Sequence, residues 1–170
     1  MIEIRRGQFE TNSSSVHVLV IPRDTEITIP KKVFLEGGEY GWESGSVTNT
    51  LNYMYQACVD QGKEELNKFF EYLKRKGVEE IHSPEINWVT EEYGSSSYTF
   101  ARGKDGYDIG YIDHSDEIPL DIMFANENLL DRFLFGNGSF VHTGNDNNSD
   151  TCPKIEDYDS EEFDLIEKGN

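Results

Sequence analysis

The sequence has little positive charge. Fifteen Lys and Arg residues stand against 33 Asp and Glu residues in a chain of 170, and the formal net charge is −18. Affinity for nucleic acid comes largely from cations that neutralise phosphates, so this balance argues against unaided binding of free nucleic acid. It favours either a soluble acidic protein or one that docks on a basic partner surface.

Cysteines and long apolar runs are also scarce. The two cysteines, Cys58 and Cys152, have no C-x-x-C partner, which excludes the common zinc and redox motifs and predicts free thiols. The opening stretch MIEIRRGQFE lacks the apolar segment of a signal peptide. No run reaches the roughly 18 apolar residues of a membrane span. These absences predict a cytosolic protein with no membrane partner.

What the sequence does contain is typical of a folded domain, with 36% hydrophobic and 12% aromatic residues. Apolar residues alternate loosely from Ile2 to Phe9, and Val16 to Ile21 predicts a strand that Pro22 closes. Together these two segments predict an N-terminal hairpin. Apolar stripes at helical spacing predict two helices, or one broken helix, within about 48–76 and a third helix over 121–135.

The remaining segments are shorter. YDIGYIDH, residues 107–114, and SFVHT, residues 139–143, predict strands, whereas EEYGSSSYTFARGKDG, residues 91–106, is rich in turn residues and predicts a loop. Strands at both ends with helices between them predict an α+β fold.

We therefore expect a single α+β domain over residues 1–147. Its mixed or antiparallel sheet, with the N-terminal hairpin, should be covered on one face by about three helices. Residues 148–170 are acidic and are expected to form a mobile C-terminal tail, apart from a short helix at 160–167 that docks its apolar residues.

Three polar clusters lie at predicted strand ends or turns, where functional side chains concentrate. The first follows Phe9, and the second and third lie at the ends of predicted strands. Their members are Glu10 to Ser15 with His17, then Asp113, His114 and Ser115, then His142, Thr143, Asn145 and Asp146.

Two kinds of catalysis fit these residues. Ser15 and His17 are two apart, so a strand would place them on one face as a nucleophile and its base. Alternatively, His17 and His114 could act as acid and base in metal-free phosphodiester cleavage, with Arg5 or Arg6 steadying the phosphate. The candidate catalytic residues are His17, His114, Asp113, Glu10 and Ser15.

Two other interpretations stay open. His17, Asp113, His114 and Asp146 could bind a divalent metal, although their spacing has no rigid ligand geometry, so the cofactor is undetermined. The same residues could instead be purely structural, because serines often satisfy backbone groups in turns. The candidate RNA- or partner-binding residues are Arg5, Arg6, Asn12, Thr143 and Asn145.

The blocks RRGQFETNSSSVH, GYIDHS and FLFGNGSFVHTGNDN resemble a family of small proteins encoded by phages and mobile elements of Firmicutes. Its signature is R-x-G-x-F-E-T-N-S-S-S-x-H, and the resemblance spans residues 4 to about 147. Some proteins that look like this lie among the anti-CRISPR inhibitors of type II systems. The resemblance implies a mobile-element protein whose partner is a CRISPR effector nuclease or its guide RNA, and it assigns no role to any single residue.

Three functions follow. An inhibitor could dock its acidic surface on the basic channel of a type II RNA-guided nuclease, or could act on the guide RNA by cleaving it. A stand-alone nuclease or phosphate-processing hydrolase could use the His and Asp residues. A non-enzymatic acidic protein could mimic nucleic acid. Whether the protein is an enzyme stays open at this point.

Overall fold

A computed structural model describes residues 3–6, 15–41, 46–113, 115, 118–145 and 152–168; for 3–6, 46–48 and 168 it describes the backbone alone. The helices are α1 (Thr50–Gln61), α2 (Lys63–Lys76), α3 (Leu120–Ala125) and α4 (Glu127–Phe135). The strands are β1 (Glu3–Arg6), β2 (Ser15–Pro22), β3 (Lys32–Phe34), β4 (Glu39–Tyr40), β5 (Ser46–Thr48), β6 (Glu80–His82), β7 (Ile86–Tyr93), β8 (Ser96–Gly103), β9 (Tyr111–Ile112), β10 (Phe140–Asn145) and β11 (Phe163–Lys168). These elements confirm the predicted α+β fold.

Most of the helices begin and end at asparagine and glycine residues. Asn49 caps α1 by accepting hydrogen bonds from the two amides of Leu51 and Asn52. Gly62, at φ +118°, separates α1 from α2, and Gly77 ends α2 in the left-handed conformation. The predicted third helix is two helices, because Asn126 interrupts it and caps α4 through the Leu129 amide.

The main sheet has five strands in the order β1-β11-β2-β10-β5. β11 runs parallel to β1 and antiparallel to β2, and β10 runs antiparallel to both β2 and β5, so the sheet is mixed. The two N-terminal strands lie antiparallel in one sheet, as expected, but β11 lies between them. β2 and β10 confirm two of the predicted strands.

The two faces of this sheet have different cover. Leu19, Ile21, Val141 and Ile166 pack with the helices in the main core. The alternate residues of the same strands point to the other face of the sheet, away from the helices. There they pack with residues of the 152–158 segment. That second core contains Val16, Val18, Val20, Ile155 and Leu165, with Phe140, Cys152, Tyr158 and Phe163 at its edge.

The prediction of a mobile C-terminal tail is wrong for residues 152–168. In place of the short helix expected at 160–167, residues 163–168 form β11 in the interior of the main sheet, and Ile166 is fully buried. Asp164, 5% exposed, accepts hydrogen bonds from Arg132 Nη2 at 2.8 Å and Arg23 Nε at 3.1 Å. These charge-assisted bonds join β11 to α4 and to the end of β2.

Three two-stranded ribbons complete the fold: parallel β3–β6, parallel β4–β9 and antiparallel β7–β8. The predicted loop over 91–106 is wrong, because Ser96–Gly103 pairs with Ile86–Tyr93 along its whole length. The predicted strand over 107–114 is reduced to Tyr111–Ile112, with a single bridge at Asp108.

Candidate functional site

Four of the predicted site residues lie on the helix-covered face of the main sheet, at one end. Ser15 and His17 share this face because they are two residues apart on β2. On the neighbouring strand β10, Thr143 is paired with His17 and Asn145 with Ser15. His17 and Thr143 are fully buried and Ser15 is 1% exposed. The sheet register therefore places these residues of the first and third clusters side by side.

His17 is held by hydrogen bonds at both ring nitrogens. Its Nε2 lies 3.1 Å from Ser15 Oγ, and its Nδ1 lies 2.8 Å from the Tyr53 hydroxyl. The direction of both bonds depends on the tautomer. If the proton is on Nδ1, that atom donates to Tyr53 and Nε2 accepts from Ser15, which is the arrangement of a base beside a nucleophile. With the proton on Nε2, His17 donates to Ser15 and the pair is purely structural.

Tyr53 projects from α1 into the same cluster. Its ring lies 5.6 Å from that of His17 and 5.5 Å from that of Tyr40, both in tilted geometry. Burial raises the pKa of Tyr53 well above its ordinary value, and the nearby charges of Asp60 and Tyr40 add to this. The phenol therefore stays neutral and is available to donate or to accept one hydrogen bond.

Two more polar side chains of α1 position the ribbon β4–β9. Gln56, fully buried, accepts a hydrogen bond from the Gly38 amide at 3.1 Å and donates to Asp60 Oδ1 at 2.7 Å. Asp60 Oδ2 accepts from the Ile112 amide at 2.6 Å. Burial raises the pKa of Asp60 to about 6, although these two hydrogen bonds lower it. One helix thus binds both strands of the ribbon.

The ribbon brings the second predicted cluster to the first. A Cβ atom added to Gly41 would lie 3.1 Å from Asp113 Cβ and 4.0 Å from Ser15 Oγ, so these side chains approach the same point. The Asp113 amide donates to the Tyr40 carbonyl at 3.0 Å, which fixes its place at the end of the ribbon. Asp113 and Ser15 therefore lie on either side of Gly41, whose lack of a side chain leaves space for both.

The remaining predicted site residues either lie outside the described part of the chain or lie on strand β1. Glu10, Asn12, His114 and Asp146 lie outside the described residues, and the proposed acid–base pair with His114 stays a prediction. For Arg5 and Arg6 the structure describes the backbone alone. Arg6 on β1 pairs with Lys168 on β11, and Lys168 pairs with His17 on β2, so strand β11 lies between the two arginines and His17.

The third cluster is divided between the two faces of the sheet. Thr143 faces the helices, whereas His142 lies on the opposite face, where its Nδ1 is hydrogen-bonded to the Tyr158 hydroxyl at 2.5 Å. Adjacent strand residues point to opposite faces, so the two cannot act at one site.

Within the described part of the chain, no group of three or more His, Cys, Asp or Glu side chains is placed to hold a metal ion. The predicted metal set of His17, Asp113, His114 and Asp146 has two members outside that part. His17 is also committed to Ser15 and Tyr53. The divalent-metal hypothesis gains no support from the described geometry.

Sequence reasoning missed the three residues of α1 that build the site. Tyr53, Gln56 and Asp60 follow one another at i, i+3 and i+7, which places them on one helix face. A row of polar residues beside the apolar stripe of the same helix was the sequence signal that could have indicated these three site residues.

A second feature is the ribbon β7–β8, which carries exposed tyrosines. Ile86, Trp88 and Ala101 at its base pack against the main core. Every residue from Glu92 to Thr99 is exposed, so the outer half extends away from the body of the protein. Tyr93 is 64% exposed and Tyr98 is 59% exposed.

Comparisons of this chain with protein-family models, with curated proteins and with solved structures found no match. The fold defines the class, a single α+β domain with a buried polar cluster at one end of its mixed sheet. Among the described residues, none of the helices has the length and apolar character needed to cross a membrane.

Proposed function

We infer that this protein is a phage or mobile-element inhibitor of a type II RNA-guided nuclease, acting in the cytoplasm of its bacterial host by binding the effector. The inference takes its target class from the sequence resemblance. The observation that carries the mode of action is the excess of acidic residues, 33 against 15, on a chain in which most of the described cations form ion pairs with its own carboxylates. The basic channel that holds guide RNA and DNA is the complementary surface.

The cations of this chain are largely neutralised by its own carboxylates. At least nine of the 15 Lys and Arg residues form ion pairs with Asp or Glu. Lys31 and Lys32, which a nuclease would need as part of a basic patch, pair at 2.6 Å with Glu79 and Glu80. A surface of this kind repels phosphates and is attracted to clustered Lys and Arg.

The geometry of His17 also favours binding over catalysis. A general acid or base must contact the atom to which it transfers a proton. His17 has no exposed surface, and both of its nitrogens have protein partners. A substrate would have to displace Ser15 or Tyr53, so the described arrangement is that of a structural histidine that joins β2 to α1.

The test is binding to an effector with and without its guide. The chain is titrated against the apo form of a type II nuclease from a Firmicutes host and against the same nuclease loaded with labelled guide RNA, and complex formation, target-DNA cleavage and RNA length are measured. We expect tight binding to the apo form, weaker binding to the loaded form, loss of DNA cleavage and intact RNA. Absence of binding to both forms would refute the proposal.

A second candidate, a hydrolase that trims the guide, is favoured by one observation, the 3.1 Å contact between Ser15 Oγ and His17 Nε2. Its test is the appearance of shortened RNA in the same reactions, run with and without EDTA. Cleavage that disappears in both Ser15→Ala and His17→Ala, while Tyr107→Phe keeps it, would establish this candidate. Circular dichroism of each variant would confirm that the fold is retained.

A further inference from the structure

The outer half of the ribbon β7–β8 presents a face that no other part of the described chain covers. Cross-strand partners share a face, so Glu91 and its partner Tyr98 lie together with Tyr93, two residues further along β7. The turn at Gly94 and Ser95 has two residues, and Gly94 takes a positive φ of 64°, as the tight turns of hairpins require. The three side chains are therefore held on a rigid support.

Glu91 is the centre of this face. The Tyr93 hydroxyl donates a hydrogen bond to Glu91 Oε2 at 2.7 Å. The rings of Tyr93 and Tyr98 meet edge to face, with centroids 6.2 Å apart. Contacts of this kind fix the orientation of side chains that would otherwise rotate freely. A carboxylate beside two exposed rings is thus already in place before a partner arrives. We name Glu91, Tyr93 and Tyr98 the tyrosine face.

The chain itself shows which group suits this surface. Arg102 lies on the same side of the ribbon, its guanidinium carbon is 5.0 Å from the centre of the Phe100 ring, and its Nη2 is 3.9 Å from Glu91 Oε1. A guanidinium favours a site where it can stack on an aromatic ring and also pair with a carboxylate. The tyrosine face repeats the same combination one step further from the core, with its rings open to solvent.

We propose that the tyrosine face binds arginine side chains of a basic protein groove. The proposal deepens the function inferred above and rests on it for the identity of the partner. Between residues 85 and 113 there are six acidic residues and two basic ones, so the whole ribbon and its flank are complementary to such a groove. Tyr, Ser and Gly, which dominate the outer half of the ribbon, are also the residues that rigid, adaptable binding loops use.

The same charges argue against nucleic acid as the occupant. Tyrosine rings can stack on the bases of single strands, but such surfaces normally carry cations for the backbone phosphates. Here Glu91 lies beside the rings, Glu92 follows it, and Arg102 is already paired with Glu91. Binding of single-stranded RNA is therefore the outcome that would contradict the proposal.

The test compares two sets of exposed aromatic residues. Tyr93→Ala/Tyr98→Ala removes both rings of the tyrosine face, and Phe34→Ala removes a ring of similar exposure, 66%, from the separate ribbon β3–β6. We expect the double variant to bind the apo effector about tenfold more weakly, because it loses two cation–π contacts. Phe34→Ala should change affinity less than about twofold.

A second arm does not need the effector. Fluorescein-labelled nona-arginine and nona-lysine peptides are titrated against the wild-type chain and both variants at fixed salt. Nona-arginine should bind more tightly than nona-lysine, and the double variant should lose this preference while Phe34→Ala retains it. Equal binding of the two peptides, or an unchanged preference in the double variant, would refute the tyrosine face. If the wild-type chain does not bind the effector but still prefers nona-arginine, the proposed function is refuted and the tyrosine face is not.

A labelled single-stranded RNA completes the set. No binding is expected for any of the three proteins. If RNA binds the wild type and the double variant loses it, the tyrosine face serves nucleic acid and the arginine proposal is wrong. Far-UV circular dichroism and urea unfolding of the double variant separate loss of contact from loss of the ribbon, and Tyr98→Phe, which keeps the ring, should bind the effector like the wild type.

Discussion

The Nδ1 atom of His17, on strand β2, lies 2.8 Å from the hydroxyl of Tyr53, on helix α1. Both side chains are fully buried. This hydrogen bond joins the interior of the main sheet to the helix that covers it.

Removal of that hydroxyl should destabilise the fold. Tyr53→Phe keeps the ring but leaves a nitrogen of His17 buried without its partner, so we expect a loss of about 1 to 3 kcal/mol in the free energy of unfolding. Urea unfolding followed by fluorescence measures it. Tyr107→Phe, at a position that is 75% exposed, is the control and should stay within about 0.5 kcal/mol. A similar small change in Tyr53→Phe would mean that the bond contributes nothing.

The two arginines around Asp164 predict a larger effect. Asp164→Ala leaves the buried guanidinium of Arg132 without its carboxylate, and we expect a loss of about 3 to 5 kcal/mol. Glu79→Ala, which breaks the exposed pair with Lys31, should cost at most about 1 kcal/mol. Chemical unfolding of the two variants side by side gives both values. Equal losses would show that the ion pair at β11 is no better than a surface contact.

Asp60 predicts a dependence on pH. Burial raises its pKa from 3.8 to about 6, so the folded protein holds this proton more tightly than the unfolded chain. Its contribution to stability is therefore fully present below about pH 4 and is lost as the pH rises through 6. Asp60→Asn cannot ionise, and relative to wild type it should gain about 2 kcal/mol between about pH 4 and pH 7.

Urea unfolding at a series of pH values measures this difference. Glu71→Gln, an exposed carboxylate on α2, is the matched control, and its difference from wild type should stay within about 0.5 kcal/mol across the same range. A flat difference for Asp60→Asn would contradict the raised pKa.

Substitution of Ile166 tests whether residues 163–168 form a strand or a mobile tail. It is fully buried between the sheet and the helices, so Ile166→Ala should lower the free energy of unfolding by about 2 to 5 kcal/mol. Glu161→Ala, a few residues earlier and exposed, should change it little. If both substitutions were neutral, residues 163–168 would not form the strand described here.

The proposed mode of binding predicts sensitivity to salt. Attraction between an acidic chain and a basic groove accelerates association, and ions screen it within about 10 Å at 0.1 M. We expect the association rate with the apo effector to fall at least about tenfold between roughly 50 and 500 mM NaCl, while the dissociation rate changes far less. Stopped-flow fluorescence resolves the two rates. An association rate independent of salt would exclude electrostatic docking.

Local pattern predicted a large part of this architecture. The apolar stripes of α1 and α2 and the apolar runs of β2 and β10 supply much of the buried core, and each was located from the sequence. β8 was missed because none of its residues is buried, so it shows no alternation of apolar and polar positions. β11 was taken for a helix because its short apolar spacing fits both structures, and only its long-range pairing with β1 and β2 decides between them.

The candidate site was predictable only in part. The shared face of Ser15 and His17 follows from their spacing. Their approach to Thr143 depends on a register between distant strands, and the approach of Asp113 depends on the hydrogen bonds of Gln56 and Asp60, which hold the ribbon β4–β9. Contacts of that kind are set by tertiary packing, which a single sequence does not display.

The place of β11 between β1 and β2 also has a consequence for the order of folding. Residues 163–168 must be synthesised before the first two strands can be joined, so the nascent chain carries an incomplete sheet until its last strand emerges from the ribosome. Closing a pairing across about 140 residues is slow compared with forming α1 and α2. We therefore expect the helices to form first, with insertion of β11 as the late, rate-limiting step.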